Sequence, residues 1–302
     1  MKILRFATSA GSRLGVVRGE DIVSLEPLST FYPTMQDLIA GGDAALDAVR
    51  TTAASGAVAS RLADAKLLAP IDKPSKYLAI GMNYQKHREE AQRAGVATPA
   101  KQLWFNKQTS CIAGPYDEID PGVTEKLDYE AELGVVIGRG GKYIGEADAP
   151  AHVFGYFVAN DVTARDWQFH TPTFTIGKSF DTHGPIGPWI VTADEVPDPH
   201  ALMMRCFVNG ALRQETNTGE MIHNIWSQIS YLSSAFTLSA GDIIASGTPS
   251  GVGVSMEPPT FLQTGDVVRC EIDGIGAIEN KVGASSAPAG WAASVLHEEA
   301  LA

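Results

Sequence analysis

Leu127-Asp128-Tyr129-Glu130-Ala131-Glu132-Leu133-Gly134-Val135-Val136-Ile137 sets two acidic residues at the head of an apolar run. The run after Glu132 reads as a buried strand, and residues two apart on a strand project from one face, so Glu130 and Glu132 point the same way. Two carboxylates side by side near a core repel each other unless a cation sits between them. Hard oxygen donors of this kind suit Mg²⁺ or Mn²⁺, with Ca²⁺ also possible. A third donor stands at the end of Val153-Phe154-Gly155-Tyr156-Phe157-Val158-Ala159-Asn160-Asp161, an apolar strand that delivers Asp161 to a sheet rim, where sites are commonly built. Taken alone, the same residues read more simply as the solvent face of an edge strand, with Asp161 capping the helix that follows.

Outward from this stretch, β-rich segments at Lys76–Ile80, Gln102–Phe105, Trp189–Thr192, Met203–Val208, Asp242–Ser246, Val267–Ile272 and Ala277–Val282 lie among Gly- and Pro-bearing turns. The fold class is mixed α/β and β-dominated. Lys2–Phe6, Arg13–Val17 and Ile22–Leu25 predict a small β-meander at the start. An Ala- and Leu-rich helical stretch follows from Thr34 to about Ala65, broken at Gly41 and Gly42. The domain reading is therefore a small N-terminal α+β domain over 1–70, a catalytic domain over 71–283, and a tail over 284–302 with no motif. Two further helices are predicted, one from near Tyr84 through His87 and Glu90, the other from about Ile225 to Phe236 with an apolar face.

A chain of 302 residues with 44% hydrophobic content can bury a full core. Its formal net charge of -12 argues against nucleic acid as a partner, because phosphate binding needs clustered Lys and Arg. No stretch approaches the roughly 20 apolar residues that span a bilayer, and the start carries no apolar core of signal-peptide length. Cys111, Cys206 and Cys270 are few and far apart, which disfavours a disulfide scaffold and points to a reducing cytoplasm.

In Ala79-Ile80-Gly81-Met82-Asn83-Tyr84-Gln85-Lys86-His87-Arg88-Glu89-Glu90, His87 and Glu90 share a helical face. A carboxylate that orients an imidazole makes a general base for water, although an ordinary surface pair fits the spacing equally well. Gly177-Lys178-Ser179 resembles part of a phosphate loop, but Pro172 stands where that pattern needs its first glycine. Lys178 reads better as a clamp for a carboxylate or enolate oxygen, with plain surface solvation as the alternative. The glycines of Ser246-Gly247-Thr248-Pro249-Ser250-Gly251 would let backbone N–H groups approach a ligand, or simply make tight turns.

Taken together and in order, GMNYQKHREE, FNKQTSCIAGP, DYEAELGVVIG, GYFVANDVTARDWQ, GKSFDTHGPIGPW and ASGTPSGVG resemble the fumarylacetoacetate hydrolase family from about residue 70 to 282. Spaced motifs in sequence order are far more specific than any one of them. The resemblance implies a β-roll catalytic domain, usually a homodimer, in which Glu130, Glu132 and Asp161 hold Mg²⁺ or Mn²⁺. By the same resemblance His87 and Glu90 activate water, Lys178 clamps developing charge, and Arg165, Gln168, Thr248, Lys107 and Ser110 contact substrate.

The activity it implies is hydrolytic cleavage of a C–C bond in a small 2,4-dioxo acid, an acylpyruvate, fumarylpyruvate or sugar-derived diketo acid, in aromatic or sugar acid catabolism. The enolate formed would rest on the cation and Lys178. The alternative is a decarboxylase or isomerase acting on an oxaloacetate-like or homoprotocatechuate-pathway oxo acid, which shares that enolate. Pro172 replaces the aromatic contact of the animal-type hydrolases, and GKSFDTHGPIGPW and PPTFLQTGD are closer to the shorter bacterial and mitochondrial members.

Overall fold

The apolar run that begins at Ala131 becomes the strand Ala131–Ile137, every residue of which is buried. Leu133, Val135 and Ile137 belong to one hydrophobic cluster and Val136 to another, so both faces of the strand are covered. Burial on two faces is why the run is continuous rather than alternating. Gly134 is required by a close approach, since a Cβ there would lie 2.2 Å from the Phe157 ring on the neighbouring strand.

In this computed structural model, which describes residues 1–93 and 95–291, that strand is central to a large sheet. Its order is Val58–Arg61, Asp21–Ser24, Gly11–Arg18, Lys2–Thr8, Gly184–Thr192, Val153–Asn160, Ala131–Ile137, Ile243–Ala245, Tyr77–Gly81, Leu103–Lys107. Along this path the pairs are antiparallel except Ile243–Ala245 with Tyr77–Gly81. A second sheet of Ala211–Asn217, Met203–Val208, Val267–Ile272 and Gly276–Lys281 covers one face, with Met204, Cys206, Val268 and Cys270 packed in the same cluster as Leu133 and Val135. On the other face Met35, Leu38, Ile39, Ala45 and Val49 from two N-terminal helices join Val136, Phe157 and Ile190. The architecture is the β-dominated mixed α/β fold expected, and the N-terminal strands extend its main sheet through Ile3 opposite Ile190.

The N-terminal helical stretch is shorter than its composition suggests. The helices are Met35–Ala40 and Gly42–Ser55, and the chain then turns extended at Gly56 and forms the strand Val58–Arg61 against Asp21–Ser24. Strand pairing at the sheet edge overrides the helical preference of the alanines. The helices Gln85–Arg93 and Ile225–Ala235 form where expected. Thr34 caps the first N-terminal helix in a reciprocal capping box with Asp37. Much of the predicted tail, residues 292–302, lies outside the described residues. No described helix is long and apolar enough to cross a membrane. All three cysteines are free and buried.

His183 illustrates how the core constrains titration. Its ring stacks on Phe180, Nε2 faces the Asp120 carbonyl at 3.0 Å, and Nδ1 is buried without a hydrogen-bond partner. Burial, then the nearby Lys107 ammonium, pushes its pKa down to about 3 from 6.5. Below 6.5 the unfolded chain takes up a proton that the folded chain refuses, so this residue removes stability as pH falls from 6.5 toward 3. Denaturant melts of His183→Phe should therefore show a shallower loss of stability between those limits than the parent. Parallel curves would mean that the ring titrates normally in the folded protein.

Candidate active site

Strand register assembles the acidic cluster. Ala131 pairs with Asn160, and the Asp161 N–H donates to the Glu130 carbonyl at 2.8 Å, which sets Asp161 directly across from Glu130. Residues opposite each other share a face, as do residues two apart, so Glu130, Glu132 and Asp161 converge. They are buried, with one oxygen of each within 4.8 Å of the others.

Cations surround the cluster. Lys178 Nζ bonds Glu130 Oε2 at 2.7 Å and Asp161 Oδ2 at 2.8 Å. Lys107 Nζ bonds Asp161 Oδ1 at 2.6 Å and also donates to the carbonyls of Lys178 and His183. Arg165 bridges Asp128 at 2.8 Å and Glu130 at 2.7 Å. Burial alone would raise the Glu130 pKa, but Lys178 and then Arg165 pull it down to about 2. Glu132 goes the other way, pushed well up by burial and then by the negative charges of Asp161 and Glu130.

These residues fit a divalent cation. The donors are hard carboxylate oxygens, and the repulsion that raises Glu132 is what a cation between the three would relieve. With all four carboxylates ionised, Asp128, Glu130, Glu132 and Asp161 oppose Lys107, Lys178 and Arg165, an excess of one negative charge that a divalent ion would convert to one positive. Such a site attracts an anionic acid.

A cavity of about 280 Å³ opens onto Glu130, Lys178, Arg165 and His87. His87 Nδ1 lies 3.2 Å from Glu90 Oε2, and Glu90 Oε1 accepts from the Gly251 N–H at 3.0 Å. The glycine-rich loop thus serves the protein's own carboxylates. Gly247 N–H donates to Glu132 at 2.8 Å, and the N–H groups of Gly253 and Val254 donate to Asp128. Gly247 and Gly251 adopt φ +104° and +101°, a region that glycine enters without strain. Gly177 permits a close approach, since a Cβ there would fall 2.4 Å from the Gln168 backbone.

Of the expected substrate contacts, Arg165, Gln168 and Thr248 line the cavity. Lys107 and Ser110 do not. Lys107 lies buried behind Asp161. Ser110 is exposed on the turn Thr109–Cys111, because Cys111 takes the inward position. Three supporting residues escaped the sequence reading. Asp128 anchors Arg165, Asn160 accepts from the Glu130 N–H at 3.0 Å, and Gln214 ties the Ala131 N–H to the Thr248 hydroxyl. Asp128 sits inside the quoted acidic stretch and could have been found there, whereas Gln214 lies on a strand with no alternating signal.

Lys107→Met leaves the buried Asp161 one cation short and should cost roughly 3–5 kcal/mol of stability. It should also weaken Mn²⁺ binding roughly 10–100-fold. Thermal melts and calorimetric titration read the two effects separately.

Fold and cluster together define a class of proteins built on a large β-sheet with a buried acidic cluster beside a cavity. The profile described as fumarylacetoacetate (FAA) hydrolase C-terminal matches residues 76–283. The chain belongs to the fumarylacetoacetate hydrolase family. It is 42% identical over 292 residues to a mitochondrial oxaloacetate tautomerase of Bos taurus, covering 93% of this chain and 91% of the relative. A human protein of the same description is 40% identical over 290 residues, covering 93% and 91%. Among solved structures, a maleylpyruvate hydrolase from Sphingobium sp. SYK-6 with manganese (II) and pyruvate aligns with TM-score 0.80 and 31% identity over 95% of this chain and all of that one. A 5-carboxymethyl-2-hydroxymuconate delta-isomerase from Mycobacterium smegmatis aligns at 0.74 and 31%, covering 94% and 100%. The expectation of a cytoplasmic location is overturned by the cattle and human relatives, which are mitochondrial by name. Three scattered cysteines disfavour a disulfide scaffold, and that alone does not distinguish compartments.

Proposed function

We propose that this chain is a divalent-cation-dependent isomerase that interconverts the enol and keto forms of an oxaloacetate-like 2-oxo acid. The observation that carries the reading is the 42% identity, across 93% of the chain, to proteins named oxaloacetate tautomerase. Hydrolytic cleavage, which the motif resemblance favours, draws on the maleylpyruvate hydrolase at the lower identity of 31%. Both reactions pass through an enolate, so one site geometry serves either, and the relatives weigh toward proton transfer.

Glu130, Glu132 and Asp161 would hold the cation, which when bound supplies Lewis-acid polarisation of the oxo acid's carbonyl. With its Nδ1 proton directed to Glu90, His87 keeps the Nε2 lone pair for the cavity. Nε2 takes a proton from C3 of the keto acid, and the imidazolium so formed gives a proton, exchangeable with water, to the carbonyl oxygen to yield the enol. The Lys178 ammonium and the Arg165 guanidinium neutralise the negative charge that the oxygens carry meanwhile.

The ultraviolet absorbance of enol-oxaloacetate provides the test. Enol decay should accelerate in proportion to enzyme with Mg²⁺ or Mn²⁺ present, return to the background rate with EDTA, and release no CO₂. Pyruvate and CO₂ appearing without faster enol decay would make the protein a decarboxylase instead.

A further inference from the structure

The cavity has two unlike ends. His87, Glu130, Arg165 and Lys178 gather at one of them. From there a row of rings runs outward. Phe105 lies 5.1 Å from Lys178 Nζ, Phe174 meets Phe105 edge to face at 6.1 Å, and Phe169 meets Phe174 edge to face at 5.4 Å. Phe169 is 58% exposed and so marks the mouth. Leu103, on the same face of its strand as Phe105, and Val254 complete the apolar wall.

Two backbone observations set this wall apart from accidental surface. Phe174 (φ +61°) and Met82 (φ +54°) both line the cavity in the left-handed region that side chains rarely adopt. Strain of this kind persists where the surrounding structure imposes it, and it clusters at ligand sites.

Charge makes the case sharper. Among the described residues, Arg165 and Lys178 are the only Lys or Arg that line the cavity, and both are already engaged by carboxylates. A second carboxylate on a substrate long enough to reach the phenylalanine row would leave water there and meet no Lys or Arg among the cavity-lining residues, whereas oxaloacetate is too short to use the row. An alkyl or aryl group would instead exchange water for apolar contact.

Building on the isomerase reading, we propose that the preferred substrate is a monocarboxylic 2-oxo acid. Its far end is an apolar chain or ring lying along Phe105, Phe174 and Phe169, with oxaloacetate a smaller and poorer occupant.

The test uses the Mn²⁺-loaded full chain and a series sharing an oxo-acid-like head: oxamate, N-ethyl-, N-butyl- and N-hexyl-oxamate, and a chain-matched analogue ending in carboxylate. Calorimetric Kd values should tighten about fourfold per added methylene until the chain reaches the mouth. The carboxylate-ended analogue should bind at least roughly tenfold more weakly than its methyl-ended counterpart. Phe169→Ala, at an exposed ring, and Phe174→Leu should each reduce the gain per methylene. Affinity that is flat or falling with chain length, or tighter binding of the carboxylate-ended analogue, overturns the proposal. Oxaloacetate enol decay run in parallel keeps the two ideas apart. A chain-length gradient without enol decay removes the isomerase reading alone, whereas enol decay without a gradient removes the apolar substrate alone.

Discussion

Asp161→Asn is expected to lower kcat/KM by roughly a thousand-fold, because it removes several kcal/mol of charge stabilisation and each 1.36 kcal/mol is a decade of rate. The residue is a hub. Its two oxygens separately accept from Lys107 and Lys178, and its backbone N–H fixes the strand end carrying Glu130. The amide keeps the shape of the side chain while deleting its charge. Two buried ammonium groups then lose a shared counter-ion, and of the three carboxylates that could hold a cation one becomes a neutral amide. Mn²⁺ titration of the variant should show binding weakened together with activity, while circular dichroism verifies the fold. Full activity with an intact fold would remove Asp161 from the site.

His87→Ala is the second large effect. Loss of a positioned general base should reduce kcat by roughly 10²–10⁴-fold. KM should move little, since the acidic cluster and Lys178 remain. Glu90→Gln should fall between parent and His87→Ala, because the Gly251 N–H can still hold the side chain while the imidazole loses its anionic partner. An unchanged kcat in His87→Ala would reduce the dyad to an ordinary helical pair.

Much of the site is legible in the residues because local rules act there. Alternation on a strand predicts that Glu130 and Glu132 point together, and helical spacing predicts that His87 meets Glu90. Long-range register is different in kind. Asp161 meets Glu130 because Ala131 pairs with Asn160, a fact of tertiary pairing that no window of sequence contains. Lys107 shows the same limit. Its motif marks it as important, yet only the fold reveals that it supports Asp161 from behind instead of reaching the cavity. The glycine-rich loop is expected to offer its N–H groups to a ligand, or only to turn the chain, whereas in the structure they donate to Glu132, Glu90 and Asp128. At the N-terminus the alanine-rich segment predicts helix beyond Ser55, and edge pairing with Asp21–Ser24 prevails. Composition reports local preference, while a sheet edge adds hydrogen bonds that outweigh it.

The most direct measurement follows deuterium into C3 of oxaloacetate by NMR in D₂O, comparing the Mn²⁺- or Mg²⁺-loaded protein with the same protein after chelation and with His87→Ala. Enzyme-dependent exchange at C3 without loss of CO₂, abolished by chelation and by the substitution, is the expected result. Exchange that survives both would contradict a reaction built on the three carboxylates and the imidazole.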